Sequence, residues 1–511
     1  MECQTSKDST YVMGIDIGTT SAKVVLFTRS GHVASEAEAP YPTSSPKPDY
    51  SEQDPLLIEE AIVQSVSEVM KKSRIKSEQL LSIGFSAAMH SLICVDDSNR
   101  PLSPMITWAD RRSIKQVNHY LKEDRSELEK NGTPLHPMSP LFKLLWMKYN
   151  AYTPYLNATK FVSIKEFIIS RWFNKFVVDY GVASATGLFN VHTLDWNETA
   201  LNLAGITRNQ LSTPVSPTYV CQGLTEEFAQ QLGIHRDTPF AVGSSDGPLA
   251  NIGVGAIKEG DLTLTIGTSG AIRKISSSPA RTLKQIFCYS ISERHWVLGG
   301  PTNNGGNVLQ WAIETLSPSN SDTSLTRFEN ALSLAQTSPP GANSLLFLPY
   351  LHGERAPLWR ADARGAWLGI SSTHTKADFL RSCIEGIVFN LYQISAIVES
   401  VTGENKRIYV NGGFARSRFW LQLVADVFGK NLEIPLTHQS AAWGAAWFSL
   451  MAIGEEDNLE NIANHIPMGD TIYFNQEQHS LYKDLISLFL EAQATQEEIA
   501  AKLAAYQIKT P

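Results

Sequence analysis

The chain is poor in cysteine. Its 511 residues hold five, Cys3, Cys94, Cys221, Cys288 and Cys383, odd in number and scattered. No pair has metal-knuckle or redox spacing, so neither a disulfide framework nor a thiolate metal site organises the fold. A reducing compartment, the cytoplasm, is expected. The chain also lacks an excess of positive charge. Its formal net charge of −8 speaks against a nucleic-acid surface. No apolar run approaches the length of a membrane span, and residues 1–8 hold no hydrophobic segment of the kind that marks a secretory leader. What is there, 43% apolar and 18% charged residues, is the composition of a globular protein. The length calls for two large domains rather than one core.

The most informative stretch is residues 12–27. Two β-rich runs flank the polar turn Gly18-Thr19-Thr20-Ser21, and Asp16 ends the first run. A P-loop or dinucleotide-binding turn would lead into a helix. Here residues 24–27, Val-Val-Leu-Phe, continue as strand. The turn is therefore a hairpin whose amides and hydroxyls suit a phosphate, with one carboxylate suited to a cation. Taken alone, such a turn also serves purely structural ends. The pattern returns at Thr265-Ile266-Gly267-Thr268-Ser269-Gly270, with Thr265 where the first copy has Asp16. A long repeat that opens with a hairpin predicts two related domains, residues 11–254 and 255–511, divided near 253–260. Their two hairpins would face each other as a clamp on polyphosphate.

Between the hairpins, Asp54 and Pro55 signal a helix start, and residues 80–86 read as a buried strand. That strand delivers Met89 and His90 to its C-terminal end, where open α/β sheets place ligands. Residues 106–112 read as a second such strand end, carrying Trp108, Asp110 and Arg112. His136 lies in a loop, and Lys165 lies near the exit of a short apolar run. Residues 240–247 lead to Asp246, which either caps the next helix or takes the proton of an attacking hydroxyl. Singly, His90, Trp108, Arg112, His136 and Lys165 read equally as core or surface residues. Together, on adjacent strand ends, they form a polar, cationic pocket for a polyol acid. Further on, residues 408–411 form a strand whose turn, Gly412-Gly413, allows a flat adenine to approach the backbone. A helix at 378–402 closes on Gly403, and others span 418–428 and 441–450. Residues 317–324 and 336–341 read as loops, and the tail from Gln476 as two amphipathic helices.

These segments resemble the FGGY carbohydrate kinases, of the actin–Hsp70–hexokinase ATPase fold, over nearly the whole chain. Asp16-Ile17-Gly18-Thr19-Thr20 resembles the first phosphate motif, Thr265-Ile266-Gly267-Thr268-Ser269 the second, and residues 411–417, Asn-Gly-Gly-Phe-Ala-Arg-Ser, the adenosine motif. Residues 138–150 and 365–385 resemble the two family signatures, with Tyr149 and Cys383 as departures. The resemblance implies an α/β protein of two actin-like (ribonuclease H-like) ATPase domains with a catalytic cleft between them, working on ATP with Mg2+. It implies Asp246 as general base and Asp16 with Asp246 at the metal. Gly18, Thr19, Thr20, Lys23, Gly267, Thr268 and Ser269 would bind phosphates. Gly306, Gln310, Gly412, Gly413 and Ser417 would line the nucleotide site. Met89, His90, Trp108, Asp110, Arg112, His136 and Lys165 would shape the sugar pocket, with Arg112 or Lys165 facing a substrate carboxylate.

Residues 85–91, 107–112, 132–138 and 299–306 are similar to those of gluconate-phosphorylating members, so phosphorylation of D-gluconate to 6-phospho-D-gluconate is expected. Members acting on xylulose usually carry Gly-Gln before Met-His, where this chain has Ala87-Ala88. Residues 350–357 are shared widely in the family and do not discriminate. The expected partners are a sugar acid and ATP, with no nucleic acid and no membrane; a homodimer is left open. The rivals are a kinase of a pentulose or other polyol, and a noncatalytic actin-like ATP-binding protein.

Overall fold

The computed structural model describes residues 10–121, 126–280, 285–316, 324–437 and 439–507. Residues 1–8 and Cys3, and nearly all of the expected loop at 317–324, lie outside that set.

The first domain is built on a six-stranded sheet. Its strands are β1 (Tyr11–Ile17), β2 (Ser21–Thr28), β3 (Val33–Pro40), β4 (Leu80–Ala87), β5 (Val220–Cys221) and β6 (Phe240–Ser245), in the order β5-β6-β4-β1-β2-β3. β2 runs antiparallel to both β1 and β3, whereas β4 is parallel to both β1 and β6. Strand periodicity sorts the side chains. Met13, Ile15 and Ile17 of β1 pack under α1 (Pro55–Ser73) and α2 (Ile164–Phe173), while Val12 faces the other layer. The start of α1 follows from its residues: Asp54 Oδ1 accepts the Leu56 amide at 2.9 Å, and Pro55 sits in the first turn. The sheet ends in β6 and passes directly into α3 (Asp246–Gly253).

The second domain repeats the plan. Strands β7 (Asp261–Ile266), β8 (Gly270–Ser276), β9 (Phe287–Ser290), β10 (Trp296–Thr302), β11 (Arg407–Asn411) and β12 (Leu432–Glu433) lie in the order β9-β10-β8-β7-β11-β12. Hairpin β7–β8 is antiparallel and β11 is parallel to β7, as β4 is to β1. The echo seen in sequence is thus an echo of topology. Helices α4 (Gly306–Leu316), α5 (Ser324–Thr337), α6 (Lys376–Thr402), α7 (Arg418–Phe428), α8 (Ser440–Ala452) and α9 (Gln476–Gln507) follow. α6 and α7 cover the sheet's core side, burying Leu262, Leu264 and Ile266 beneath Leu391, Ile394 and Val424.

Helix α8 belongs to the second half of the chain but packs on β1, β4 and β6 of the first sheet and beside α3. Glycines make this approach possible. A Cβ on Gly14 would stand 2.1 Å from Ala442 O, one on Gly84 1.9 Å from Ala445 O, and one on Gly253 1.8 Å from Ser440 O. The resulting layer is a core shared by both halves, with Val12, Val25 and Phe27 against Trp443, Ala446 and Trp447, and with Ile275 and Val297 joining from the second sheet.

Four expectations are corrected. Residues 106–112 are not an end of the main sheet. Only Met105–Ile106 is strand, paired with Glu52–Gln53, and the rest is turn. The tail from Gln476 is one helix of 32 residues, because no glycine or proline interrupts it. Gln336 and Thr337 end helix α5 instead of opening a loop. Among the described residues α6 does have the length and apolar content of a membrane span, both accounted for by its burial in the second domain's core.

Candidate active site

Each hairpin turn is held from behind by the protein. In the first, the Gly18 amide donates to Ser21 O at 3.0 Å. The Tyr41 hydroxyl donates to Gly18 O and Ser21 O at 2.6 and 3.0 Å, and Gln53 Nε2 donates to Thr19 O at 2.7 Å. In the second, the Gly267 amide donates to Ser269 O at 2.8 Å. The amides that open α4 reach the same turn, Gly306 to Gly267 O at 2.8 Å and Asn307 to Thr268 O at 3.1 Å. Thr20 is exposed. Lys23, expected at phosphate, makes an ion pair with Glu38 at 3.3 Å.

Two cavities meet at the second turn. One, of about 290 Å³, is lined by Thr19, Met89, His90, Trp108, Asp246, Thr265, Gly267, Ser269, Arg273, Tyr289 and Arg355. The other, of about 540 Å³, is lined by Gly267, Thr268, Gly306, Gln310, Phe328, Leu332, Gly413, Phe414 and Ser417. Gly267 belongs to both.

In the smaller cavity Asp246 opens α3. Its Oδ1 accepts the Gly247 amide at 2.7 Å. Burial first, and then the charge of Asp16, push its carboxyl up to about 6, against the pull of Arg273. Asp16, near the end of β1, accepts Ser86 Oγ at 2.6 Å and is raised by burial. His90 sits in the left-handed region at φ 67°, with Nδ1 2.7 Å from Ala185 O. Burial, then Lys143, hold it down to about 3, so the ring is neutral. With a carbonyl facing Nδ1, that nitrogen carries the proton and Nε2 is an acceptor. Trp108 Nε1 donates to Thr19 Oγ1 at 3.1 Å. The Arg355 guanidinium lies 5.3 Å from the Trp108 ring centroid and donates to Thr302 O at 3.0 Å. Phe287 and Tyr289 stack at 4.4 Å.

Four expected sugar-pocket residues fall outside this lining. Arg112 forms a knot with Asp110 at 2.7 Å and Glu52 at 2.6 Å and stacks 3.7 Å from the Tyr50 ring centroid. Asp110 also accepts the Ser51 amide at 2.7 Å. Lys165 pairs with Asp179 at 2.5 Å, both side chains at 0% exposure, and donates to Ser244 O at 3.0 Å. His136 accepts the Met138 amide and packs edge-on against Trp359. A buried charge is tolerated only when paired, and the partners of Arg112 and Lys165 are the protein's own carboxylates. The expectation that one of them faces a substrate carboxylate is therefore corrected. Lys143 donates to the carbonyls of His90, Ile106 and Thr107, bracing the loops around the cavity.

Sequence reasoning missed Arg273, Tyr289 and Arg355. Arg273 stands three residues beyond the second turn, and its side of the strand was the missing information. In the larger cavity it missed Phe328 and Leu332, because α5 was not read as a helix. Phe328, Leu332 and Phe414 give that cavity apolar walls, and Phe328 stacks on Trp420 at 6.3 Å. Gly413 has nothing within 4 Å of where a Cβ would stand, whereas Gly412, at φ 105°, packs against Ile266 O. Ser417 lines the cavity and also caps α7 through the Trp420 amide at 3.2 Å. Open glycine beside apolar walls fits a flat aromatic ring.

A polar cavity with a buried carboxylate and an apolar, glycine-edged one, joined at a single hairpin turn in a two-domain cleft, are what a phosphotransferase requires. The chain belongs to the FGGY family of carbohydrate kinases. The family's N-terminal domain matches residues 11–253 and its C-terminal domain residues 262–453. The chain is 40% identical to the gluconokinase of Bacillus subtilis over 98% of both chains. It is also similar to crystal structures of a gluconate kinase and of a ligand-bound xylulose kinase from Lactobacillus acidophilus. Each is 35% identical with a TM-score of 0.92, over 97% of this chain and 99% and 100% of theirs. The protein is a carbohydrate kinase.

Proposed function

We propose that the protein transfers the terminal phosphoryl group of ATP to the 6-hydroxyl of D-gluconate, giving 6-phospho-D-gluconate. The observation that carries this reading is the position of Asp246 in the smaller cavity, which shares Gly267 with the larger one and whose other charged groups are the cations Arg273 and Arg355. Identity of 40% to a gluconokinase over the full length supports the same acceptor.

Asp246 accepts the proton of the attacking hydroxyl. A carboxyl held at about 6 is ionised at neutral pH and still basic enough for the task. Thr19, Thr20, Gly267, Thr268 and Ser269 orient the phosphates in line with that hydroxyl. Gly306, Gln310, Gly413 and Ser417, with the apolar walls, hold the nucleoside. His90 and Trp108 position the polyol, the former as an acceptor for a hydroxyl.

Asp16, itself raised by burial, adds to the raised proton affinity of Asp246, and a divalent cation between two such carboxylates would relieve that repulsion. Among the described residues no three His, Cys, Asp or Glu side chains gather as a metal cage. That fits Mg2+, which keeps most of its waters. Asp16 and Asp246 would hold it, and the ion would neutralise charge on the bridging phosphate oxygens. ATP as donor, with the buried free thiols Cys94, Cys221, Cys288 and Cys383, suits a cytoplasmic enzyme.

The equal likeness to a xylulose kinase structure favours a second reading, a pentulose kinase. Coupled assays of ADP release on gluconate, xylulose and glycerol test the proposal. Turnover of gluconate with the highest kcat/KM is expected, and preference for xylulose or glycerol would reverse the assignment.

A further inference from the structure

Arg273 and Arg355 differ from other buried or half-buried cations of the protein. Lys143 is met by three backbone carbonyls, and Arg112, Lys165 and Arg171 each face a carboxylate within ion-pair distance. Among the described residues neither Arg273 nor Arg355 has one, and Arg355 Nε is buried with no hydrogen-bond partner. Both line the smaller cavity. Burial pushes both guanidinium groups below the usual arginine range, Arg355 to about 10, and Arg355 also feels the charge of Arg273. Asp246 is the one carboxylate lining the cavity with them, and Glu354, which Arg355 also feels, is held by Thr302, Asn304 and Asn390; two cations against one lining carboxylate leave positive charge for an anionic ligand to meet.

The backbone makes room for one of them. Arg273 stands on β8 opposite Gly299 of β10. Its guanidinium lies against Gly247, the residue after Asp246, where a Cβ would stand 3.0 Å from Nε and 3.0 Å from an Nη. Any larger residue at 247 would push the guanidinium away from the cavity. Arg355 belongs to the segment 350–357 that is shared widely in the family, so it does not by itself select an acid. Arg273 is the candidate for selection.

We propose that Arg273, with Arg355 as a second donor, takes the carboxylate of the acceptor and makes this site selective for aldonic acids over neutral sugars and polyols. The assignment rests on the reading of the protein as a gluconate kinase and adds the group that recognises the acid end. It replaces Arg112 and Lys165, whose charges are met inside the fold. A planar guanidinium offers parallel donors to a carboxylate, which an ammonium does not. Arg273→Lys is therefore not a conservative change here.

The test is steady-state kinetics of the full chain on D-gluconate and on D-glucitol, in which a CH2OH group replaces the carboxylate. The variants are Arg273→Met, Arg273→Lys and Arg355→Met, each with its KM for ATP and its melting temperature. Arg273→Met is expected to raise KM for gluconate 30- to 100-fold, with kcat at saturation and KM for ATP within about threefold of wild type. The ratio of kcat/KM for gluconate to that for glucitol should fall by the same factor. Arg273→Lys should recover part of the loss, and it carries the test if the methionine variant does not fold. An unchanged KM for gluconate in the folded variants overturns the proposal. So does an equal loss of kcat on both substrates, which would put Arg273 on the transferred phosphoryl group instead. Wild-type turnover of xylulose with none of gluconate overturns the gluconate reading itself, and this assignment with it. Gluconate turnover indifferent to Arg273 overturns this assignment alone.

Discussion

The indole nitrogen of Trp108 donates to Thr19 Oγ1 at 3.1 Å, tying the aromatic wall of the acceptor cavity to the first phosphate hairpin. One bond thus couples the place where the sugar rests to the turn proposed to orient phosphate. Trp108→Phe keeps the wall and removes the donor. Losing one neutral hydrogen bond costs about 0.5–1.5 kcal/mol. KM for both substrates should therefore rise roughly two- to tenfold, with a smaller change in melting temperature. A rise in KM for the acceptor alone would show that the bond does not link the two sites.

Asp246→Asn should lower kcat roughly a hundred- to ten-thousand-fold, the range of a general base, while nucleotide binding by calorimetry stays near wild type. Retained kcat would remove Asp246 from the proton transfer.

The pH profile follows from the same carboxylate. Asp246 must be ionised to accept a proton, and its carboxyl is raised to about 6. Hence kcat/KM for gluconate should be flat above about pH 7 and fall tenfold per unit below 6. His90, held down to about 3, stays neutral across that window and adds no limb of its own. In Asp246→Asn the residual rate should lose this inflection.

Lys165→Met leaves Asp179 without its partner where both side chains have 0% exposure. Breaking a pair buried in this way costs about 3–5 kcal/mol. The expected result is a large fall in the denaturant midpoint. A variant of wild-type stability with a raised KM for gluconate would return Lys165 to the sugar pocket.

Gly413→Val separates ligand space from packing space. Nothing lies within 4 Å of a Cβ there, so stability should stay near wild type while KM for ATP rises roughly tenfold or more, about 1.4 kcal/mol. Gly253→Ala is the converse. Its Cβ would meet Ser440 O at 1.8 Å, and overpacking of about 1–3 kcal/mol should appear as a lowered melting temperature.

What was legible in the sequence was local. The cap at Asp54, the stop at Gly403 and the paired Ile-Gly-Thr turns are decided by neighbours a few residues away, and all stand where the residues put them. The partners of charged groups were not legible. Arg112 finds Glu52 across 60 residues, and Lys165 finds Asp179 from a different element, so tertiary pairing decided which cations remain for a ligand. Arg273 follows the second turn without a motif of its own, and only the folded strand β8 shows its guanidinium beside Gly247 in the cavity. The apolar wall at Phe328 and Leu332 carried no motif at all.

Helix α8 lies beneath β1 and β4, so residues near 12–27 and near 440–452 form one layer although more than four hundred residues separate them. A gene fragment encoding the first repeat alone would leave Val12, Val25 and Phe27 bare to water. Shuffling halves between related genes would have to carry both ends of the chain together, or else match Gly14 and Gly84 to a new helix. The repeat visible in the two hairpins is thus not a pair of separable units, because each half completes the other's core.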